Sequence, residues 1–238
     1  MRVLIVTPTY NEAENLPSLV DAVLSATPEE TEMLIVDDGS PDGTGKIADG
    51  LAERFSRVHV LHRKQKMGLG TAYVHGFQWG LAGNFEAFVE MDADFSHHPK
   101  YLAPLLENLK KWDVVIGSRY VEGGGTVNWG VTRKIISRGG SLYSRVILGA
   151  PIYDFTGGFN GWNRKVLESV ELSTLKSDGY SFQIELKYRA FRKGFKITEF
   201  PIIFEDRKVG KSKMNQKIIF EALGRVWGFR WKAACAKH

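Results

Sequence analysis

The tripeptide Asp92-Ala93-Asp94 follows directly on the apolar run Phe88-Val89-Glu90-Met91, so two carboxylates stand at the carboxyl end of a predicted strand. Hard carboxylate oxygens so placed engage a divalent cation such as Mg2+ or Mn2+ and leave coordination positions for diphosphate oxygens. Surface loops also produce Asp-x-Asp as turn chemistry, and the position after an apolar run is what favours the metal here. A second pair, Asp37-Asp38, follows Met33-Leu34-Ile35-Val36 and opens a Gly-Ser-Pro-Asp-Gly-Thr segment. A strand-end acid in a nucleotide crevice accepts hydrogen bonds from base or ribose; Asp38 is assigned that role, and Asp37 fits either it or simple turn formation. Gly68-Leu69-Gly70-Thr71 either offers backbone N–H groups to a phosphate or simply starts a helix.

Other chemistries lack their residues. His97 and His98 are adjacent, so in an extended segment they point apart, and no histidine lies at helical i+4 spacing as zinc sites need. No Gly-x-Ser-x-Gly elbow occurs, and the single cysteine, Cys235, is isolated near the end.

The elements that must position these groups alternate. Val3–Val6, Met33–Val36, Val58–Leu61, Ala87–Met91 and Val114–Ile116 are apolar without polar alternation, the signature of strands covered on both faces. Leu16, Leu19, Val20, Val23 and Leu24 recur at helical spacing after Asn11, read as the N-cap, and Ile47, Leu51 and Phe55 mark a second helix. A repeated βα pattern predicts an α/β protein: a Rossmann-like, mostly parallel sheet flanked by helices, with ligands at the strands' carboxyl ends. Beyond Arg119 the spacing predicts a Gly123–Gly125 loop and a basic amphipathic helix over Trp129–Leu148, with a bend at Gly139-Gly140. It also predicts a helix over Phe182–Lys193, a strand over Lys196–Phe204, a basic loop over Arg207–Lys213 and a last amphipathic helix near Gln216–Ala236. The reading is of one domain, 1–238, with no internal repeat or linker. Within it, 1–118 supplies the nucleotide and metal side, 119–214 the acceptor side, and 215–238 the C-terminal helix.

Charge divides along the same line: residues 1–118 carry 10 Lys+Arg against 17 Asp+Glu, and residues 119–238 carry 22 against 10. An acidic half suits a cation, and a basic half suits phosphate or anionic lipid. Nucleic acid is disfavoured, because the acidic half repels a long polyanion and no nucleic-acid-binding motif occurs. No run of about 18 apolar residues spans a bilayer, and the N-terminus lacks a signal-peptide pattern. With one cysteine, a reducing, cytoplasmic compartment is expected.

Thr7-Pro8-Thr9-Tyr10-Asn11-Glu12, Val36-Asp37-Asp38-Gly39-Ser40, Met91-Asp92-Ala93-Asp94, Gly117-Ser118-Arg119-Tyr120 and Asp154-Phe155-Thr156-Gly157-Gly158-Phe159 resemble, in order, the inverting family 2 glycosyltransferases. Ser96-His97-His98-Pro99, Trp129-Gly130 before Arg133, and the basic stretch 207–213 make the chain most similar to the dolichyl- or polyprenyl-phosphate mannose synthases among them. The resemblance implies a GT-A fold, GDP-mannose as donor and a polyprenyl (dolichyl) phosphate as acceptor. It implies that Pro8, Tyr10, Glu12 and Asp38 hold guanosine, that Asp92 and Asp94 hold the metal and diphosphate, and that Arg119, Arg207 and Lys213 neutralise phosphates. Val36, Lys66, Ala93, Arg133 and Ser137 complete the implied substrate set, with Asp94, Arg119, Arg207 and Lys213 as catalytic groups. Many such synthases end in transmembrane helices; the similarity here is to the form without them. It implies a peripheral position at the cytoplasmic face of a membrane and a small membrane-anchoring subunit. A same-fold transferase using UDP-glucose, or an anionic-lipid-binding module without catalysis, are the competing readings.

Overall fold

The computed structural model describes residues 1–175, 177, 179–205 and 224–231. Five strands lie where the apolar runs predict them: β1 (Val3–Thr9), β2 (Thr31–Asp37), β3 (Val58–His62), β4 (Ala87–Glu90) and β5 (Val114–Ser118). Adding β7 (Asn160–Asn163) and β8 (Ile197–Pro201) gives a seven-stranded sheet ordered β3-β2-β1-β4-β7-β5-β8. Every pairing in it is parallel except those of β7, which runs antiparallel to both β4 and β5.

Unalternating apolar runs bury both faces, because successive side chains point to opposite sides. Val3, Ile5, Met33 and Ile35 enter one core layer, and Leu4, Val6, Leu34 and Val36 enter the other. The first layer is closed by α1 (Leu16–Ala26), α2 (Thr44–Arg54) and α4 (Leu102–Leu109), through Leu19, Ala48 and Leu105. The second is closed by α3 (Leu69–Leu81), α6 (Arg164–Ser169) and α7 (Gly179–Arg192), through Phe77, Val166 and Phe182. Each such fully buried Leu, Val or Phe side chain contributes about 1.5–3 kcal/mol. Helix α3 lies so close to the sheet that a Cβ at Gly76 would stand 2.4 Å from Val6.

Four details depart from the sequence expectations. Helix α1 begins after Asn15, not Asn11: Asn11 takes a left-handed φ of 60° and its N–H donates to Ser40 Oγ at 3.1 Å, while a turn at Glu12 intervenes. The strand expected over Lys196–Phe204 is two: Pro201 ends β8, and β9 (Ile203–Glu205) pairs with β6 (Gly125–Val127) in a separate ribbon, so Gly125 belongs to a strand. Helix α5 (Val131–Leu148) begins two residues later than the expected Trp129 and ends at Gly149, whose φ of 64° suits glycine. Strand β7, Asn-Gly-Trp-Asn, carries no β-branched residue, and Trp162 alone among its residues favours a strand. The predicted last helix is helical over its described part, 224–231, where Val226 and Phe229 pack on the core.

Candidate active site

A cleft of about 410 Å3 opens at the carboxyl ends of β1, β2, β4 and β5. At one end Pro8, Tyr10, Glu12, Asp38 and Lys66 line it, with Lys66 Nζ 4.2 Å from the centre of the Tyr10 ring. The Asp38 carboxylate is buried 2.8 Å from Arg63 Nη1. Burial is the largest influence on it and raises its pKa; Arg63 and the Met67 N–H oppose that and leave the shift upward. Asp37 is bound by Ser40 Oγ at 2.5 Å and Thr9 Oγ1 at 3.3 Å, so its carboxylate shapes the turn.

Asp92 and Asp94 line the middle. Tyr73, a buried phenol pushed well above its ordinary pKa chiefly by burial, donates to Asp92 Oδ1 at 3.1 Å. His97 Nδ1 accepts the Asp92 backbone N–H at 3.1 Å, so the neutral ring carries its proton on Nε2. Burial lowers the His97 pKa against the pull of Asp92, so the 3.9 Å approach of Nδ1 to Asp92 Oδ2 is not a charged pair at neutral pH. His98 is exposed and turned away from His97, its Nδ1 accepting from the Lys100 N–H at 3.2 Å. Asp94 Oδ1 accepts from both the N–H and the hydroxyl of Ser96, at 3.0 and 2.5 Å, which fixes the loop. Among the described residues no group of three or more His, Cys, Asp and Glu could hold a metal. Two carboxylates alone suit a hard cation that keeps water and ligand oxygens, and not a closed zinc site.

The other end is aromatic and basic. Arg119, Trp129, Arg133, Thr156, Tyr180, Gln183 and Phe204 line it. Arg119 is buried and bound twice by Asp154, Nε to Oδ2 at 2.8 Å and Nη2 to Oδ1 at 2.7 Å, with its own N–H on Oδ2 at 2.9 Å. Burial raises the Asp154 pKa most, but Arg119 and Lys187 together hold it below the usual carboxylate range. Beneath this pair the Lys187 ammonium, fully buried, donates to the carbonyls of Asp154 and Gly157 at 2.8 Å each. Burial pushes it down to about 8. Asn160 Nδ2 joins Glu90 Oε2 at 2.6 Å to Gln183 Oε1 at 2.8 Å, and burial pushes Glu90 up to about 7.

Of the residues expected from sequence, the cleft brings together Pro8, Tyr10, Glu12, Asp38, Lys66, Asp92, Ala93, Asp94, Arg119 and Arg133. Val36 is not in the lining: its side chain is fully buried in the core, as the inward residue of a central strand must be. Ser137 stands behind the lining, accepting from Tyr120 Oη at 2.7 Å. Arg119 lines the cleft with its guanidinium paired to Asp154. Arg207 and Lys213 lie outside the described residues. Missed were Arg63, Tyr73, Asp154, Gln183 and Lys187. The sequence carried no signal for the last two: they sit on α7, where every residue from Ser181 to Tyr188 is buried in the structure, and polar groups so placed must meet polar partners.

A mostly parallel sheet with a carboxylate pair at its carboxyl edge defines a GT-A-like α/β enzyme. Residues 4–171 match the family described as glycosyl transferase family 2; the chain belongs to that family and is a glycosyltransferase. It is 47% identical over 241 residues to an undecaprenyl-phosphate mannosyltransferase of Micrococcus luteus, covering 100% of this chain and 99% of that one. It is 49% identical over 233 residues to a polyprenol monophosphomannose synthase of Mycolicibacterium smegmatis, covering 96% and 88%. Among solved structures, glucosyl-3-phosphoglycerate synthase of Mycobacterium tuberculosis with UDP shares the fold at a TM-score of 0.68 and 19% identity, over 95% of this chain and 80% of that one. The same enzyme with Mn2+, UDP and glucosyl-3-phosphoglycerate gives 0.69 and 19%, over 97% and 79%.

Proposed function

We propose that the chain transfers mannose from GDP-mannose to a polyprenyl (dolichyl) phosphate at a membrane surface, with inversion. The observation that carries this reading is a single cleft with a carboxylate pair in its middle and an aromatic, basic end at the start of α5. The two mannosyltransferase relatives support the sugar and the acceptor class. Tyr10, Glu12, Asp38 and Lys66 hold the nucleotide, while Arg133, with Arg207 and Lys213, meets the phosphates. Asp92 and Asp94 hold Mg2+ or Mn2+, which when bound supplies positive charge to the departing nucleoside diphosphate. The structural neighbours with Mn2+ support a divalent ion here.

A sugar hydroxyl would need a general base to attack the anomeric carbon. A phosphate monoester does not, because its second pKa is about 6 and its oxygens are already nucleophilic at neutral pH. The chain's own groups therefore have to orient two phosphates and exclude water rather than move a proton. Fixed donors and rings around Arg119 and Arg133 suit that task.

Membrane placement is supported by α5. It buries Ser137, Ser141, Ser144 and Leu148 and leaves Val131, Ile135, Leu142 and Val146 between 59% and 73% exposed, beside Lys134 and Arg138. Apolar side chains with basic neighbours are what an interfacial helix presents to anionic lipid. Arg230 donates to the Leu148 carbonyl at 3.2 Å, tying the final helix, with Trp227 and Trp231 exposed, to the end of α5. No described helix is long and apolar enough to cross a membrane, and an anchoring subunit would add to this surface.

The test is product formation from radiolabelled GDP-mannose and a short polyprenyl phosphate, with Mn2+ or with excess EDTA, and with UDP-glucose as the competing donor. Lipid-linked mannose that forms with GDP-mannose and stops in EDTA is expected. Transfer undiminished in EDTA removes the metal; a preference for UDP-glucose removes the donor.

A further inference from the structure

Lys187 stands on α7 with its whole side chain out of solvent, and it does not line the cleft. An ammonium carries three N–H groups. Here three backbone carbonyls of one turn converge on it, those of Asp154 and Gly157 at 2.8 Å each and that of Phe155 at 3.4 Å. A buried charge bonded only to carbonyls is a poor way to stabilise a core. Desolvation draws this one down to about 8, and an apolar side chain of the same length would fill the place without that cost. What the ammonium does instead is fix a shape. Glu199 of β8 accepts the N–H groups of Tyr153 and Asp154 at 2.6 and 2.9 Å, the Asp154 carboxylate accepts the Gly157 N–H at 2.9 Å, and Lys187 holds the carbonyls. The turn so held carries Thr156 and Gly158, which line the cleft, and Asp154, which orients Arg119. Arg119 Nη2 also donates to Thr156 Oγ1 at 2.8 Å, so the turn and the guanidinium form one wall.

We infer that Lys187 is a positioning residue for the acceptor: by gathering those three carbonyls it holds Thr156, Gly158 and the Asp154–Arg119 pair in the shape that the acceptor's phosphate end meets. This rests on the proposed polyprenyl-phosphate reading, which puts the acceptor at the end of the cleft where Arg119 and Thr156 stand, away from Tyr10, Asp38 and Lys66. Removing the ammonium therefore acts through the turn, and at one end of the cleft only.

The test compares Lys187→Met, which keeps the length and loses the ammonium, with Lys187→Arg, which restores charge and donors, in the full chain with GDP-mannose, Mn2+ and farnesyl phosphate. For Lys187→Met, kcat/KM for farnesyl phosphate is expected to fall about tenfold or more, with GDP–Mn2+ binding within about twofold of wild type. Lys187→Arg is expected to keep more of that kcat/KM than Lys187→Met. A core-filling role alone gives the reverse order, because Met is the apolar fit. Unchanged kcat/KM in Lys187→Met, a loss shared equally by GDP–Mn2+ binding, or the reverse order overturns the assignment. A measurement that needs no variant is amide hydrogen exchange over residues 154–158 of the wild type, expected to slow on adding farnesyl phosphate and not on adding GDP–Mn2+; no slowing overturns it. Wild type that shows this slowing but makes no lipid-linked mannose sinks the functional reading and leaves the positioning role standing, to be read in the same two variants from farnesyl phosphate affinity.

Discussion

Replacing Asp154 by Asn leaves the Arg119 guanidinium buried beside a neutral amide. The pair is joined by three contacts of 2.7–2.9 Å, both side chains are at most 4% exposed, and Gly157 N–H donates to the same carboxylate at 2.9 Å. An amide keeps one acceptor oxygen, and turns an NH2 toward a guanidinium or a backbone N–H. Breaking a buried pair on one side costs about 3–5 kcal/mol, since the remaining charge is uncompensated. At about 2–4 °C per kcal/mol for a chain of this size, the melting temperature of Asp154→Asn should fall by about 6–20 °C. The double replacement Arg119→Met with Asp154→Leu should recover only part of that: it removes both charges, but it leaves the Arg119 and Gly157 backbone N–H groups without the carboxylate they donate to. The pH dependence has a fixed sign. Asp154 has a folded pKa below its unfolded value, so its stabilisation is complete above about pH 3.9 and is lost as pH falls through the lower folded value. The gap between wild type and Asp154→Asn should therefore be constant near neutrality and close only below about pH 4. Scanning calorimetry at several pH values measures all of this. A variant melting within about 2 °C of wild type at neutral pH would refute the view that Arg119 is anchored internally, and would return it to the role of a free phosphate ligand.

Asp94→Asn keeps an acceptor for Ser96 but removes a charge, so turnover should drop at least about a hundredfold while the fold melts near the wild-type temperature; near-normal turnover would remove the metal assignment. Ile135→Glu with Leu142→Glu, both exposed on α5, should weaken flotation with anionic liposomes about tenfold or more and leave melting nearly unchanged; equal flotation would move the membrane contact elsewhere. Glu90, pushed up to about 7, holds its proton more tightly folded than unfolded, so its contribution is full below about pH 4.5 and lost as pH rises through 7. Glu90→Gln does not titrate, so it should be more stable than wild type at about pH 8, on the order of 3 kcal/mol, and the difference should vanish only by about pH 4; a gap of the opposite sign would show that the charged form is the one the Lys187 side of the core selects.

Strand runs, the βα alternation and the acid pairs at strand ends were legible because each depends on local chain chemistry. Val3–Val6 reads as a buried strand whatever lies next to it, and Asp92 and Asp94 reach the cleft because β4 ends there. What was not legible depends on distant partners. Nothing near Arg119 announces that Asp154 will neutralise it, and nothing near Asp38 announces Arg63. Asn160–Asn163 has the composition of a turn and becomes a strand because two edges, β4 and β5, need covering. Helix α5 shows the limit of amphipathic pattern: Val131, Ile135, Leu142 and Val146 are exposed while Ser137, Ser141 and Ser144 face inward, and only its C-terminal end packs apolar residues on the core.

The antiparallel strand β7 slots between β4 and β5, so the acidic and basic halves share one hydrogen-bonded fabric. Until Asn163 has left the ribosome, β4 keeps a raw edge, and the segment bearing Glu90 and its neighbouring acids has no Asn160 to grip it. The segment 1–118, proposed to bind the donor, therefore cannot be cut out at residue 118 and grafted onto another second half. Swapping substrates between relatives, in the laboratory or in evolution, has to proceed by changing side chains and loops around an undivided sheet.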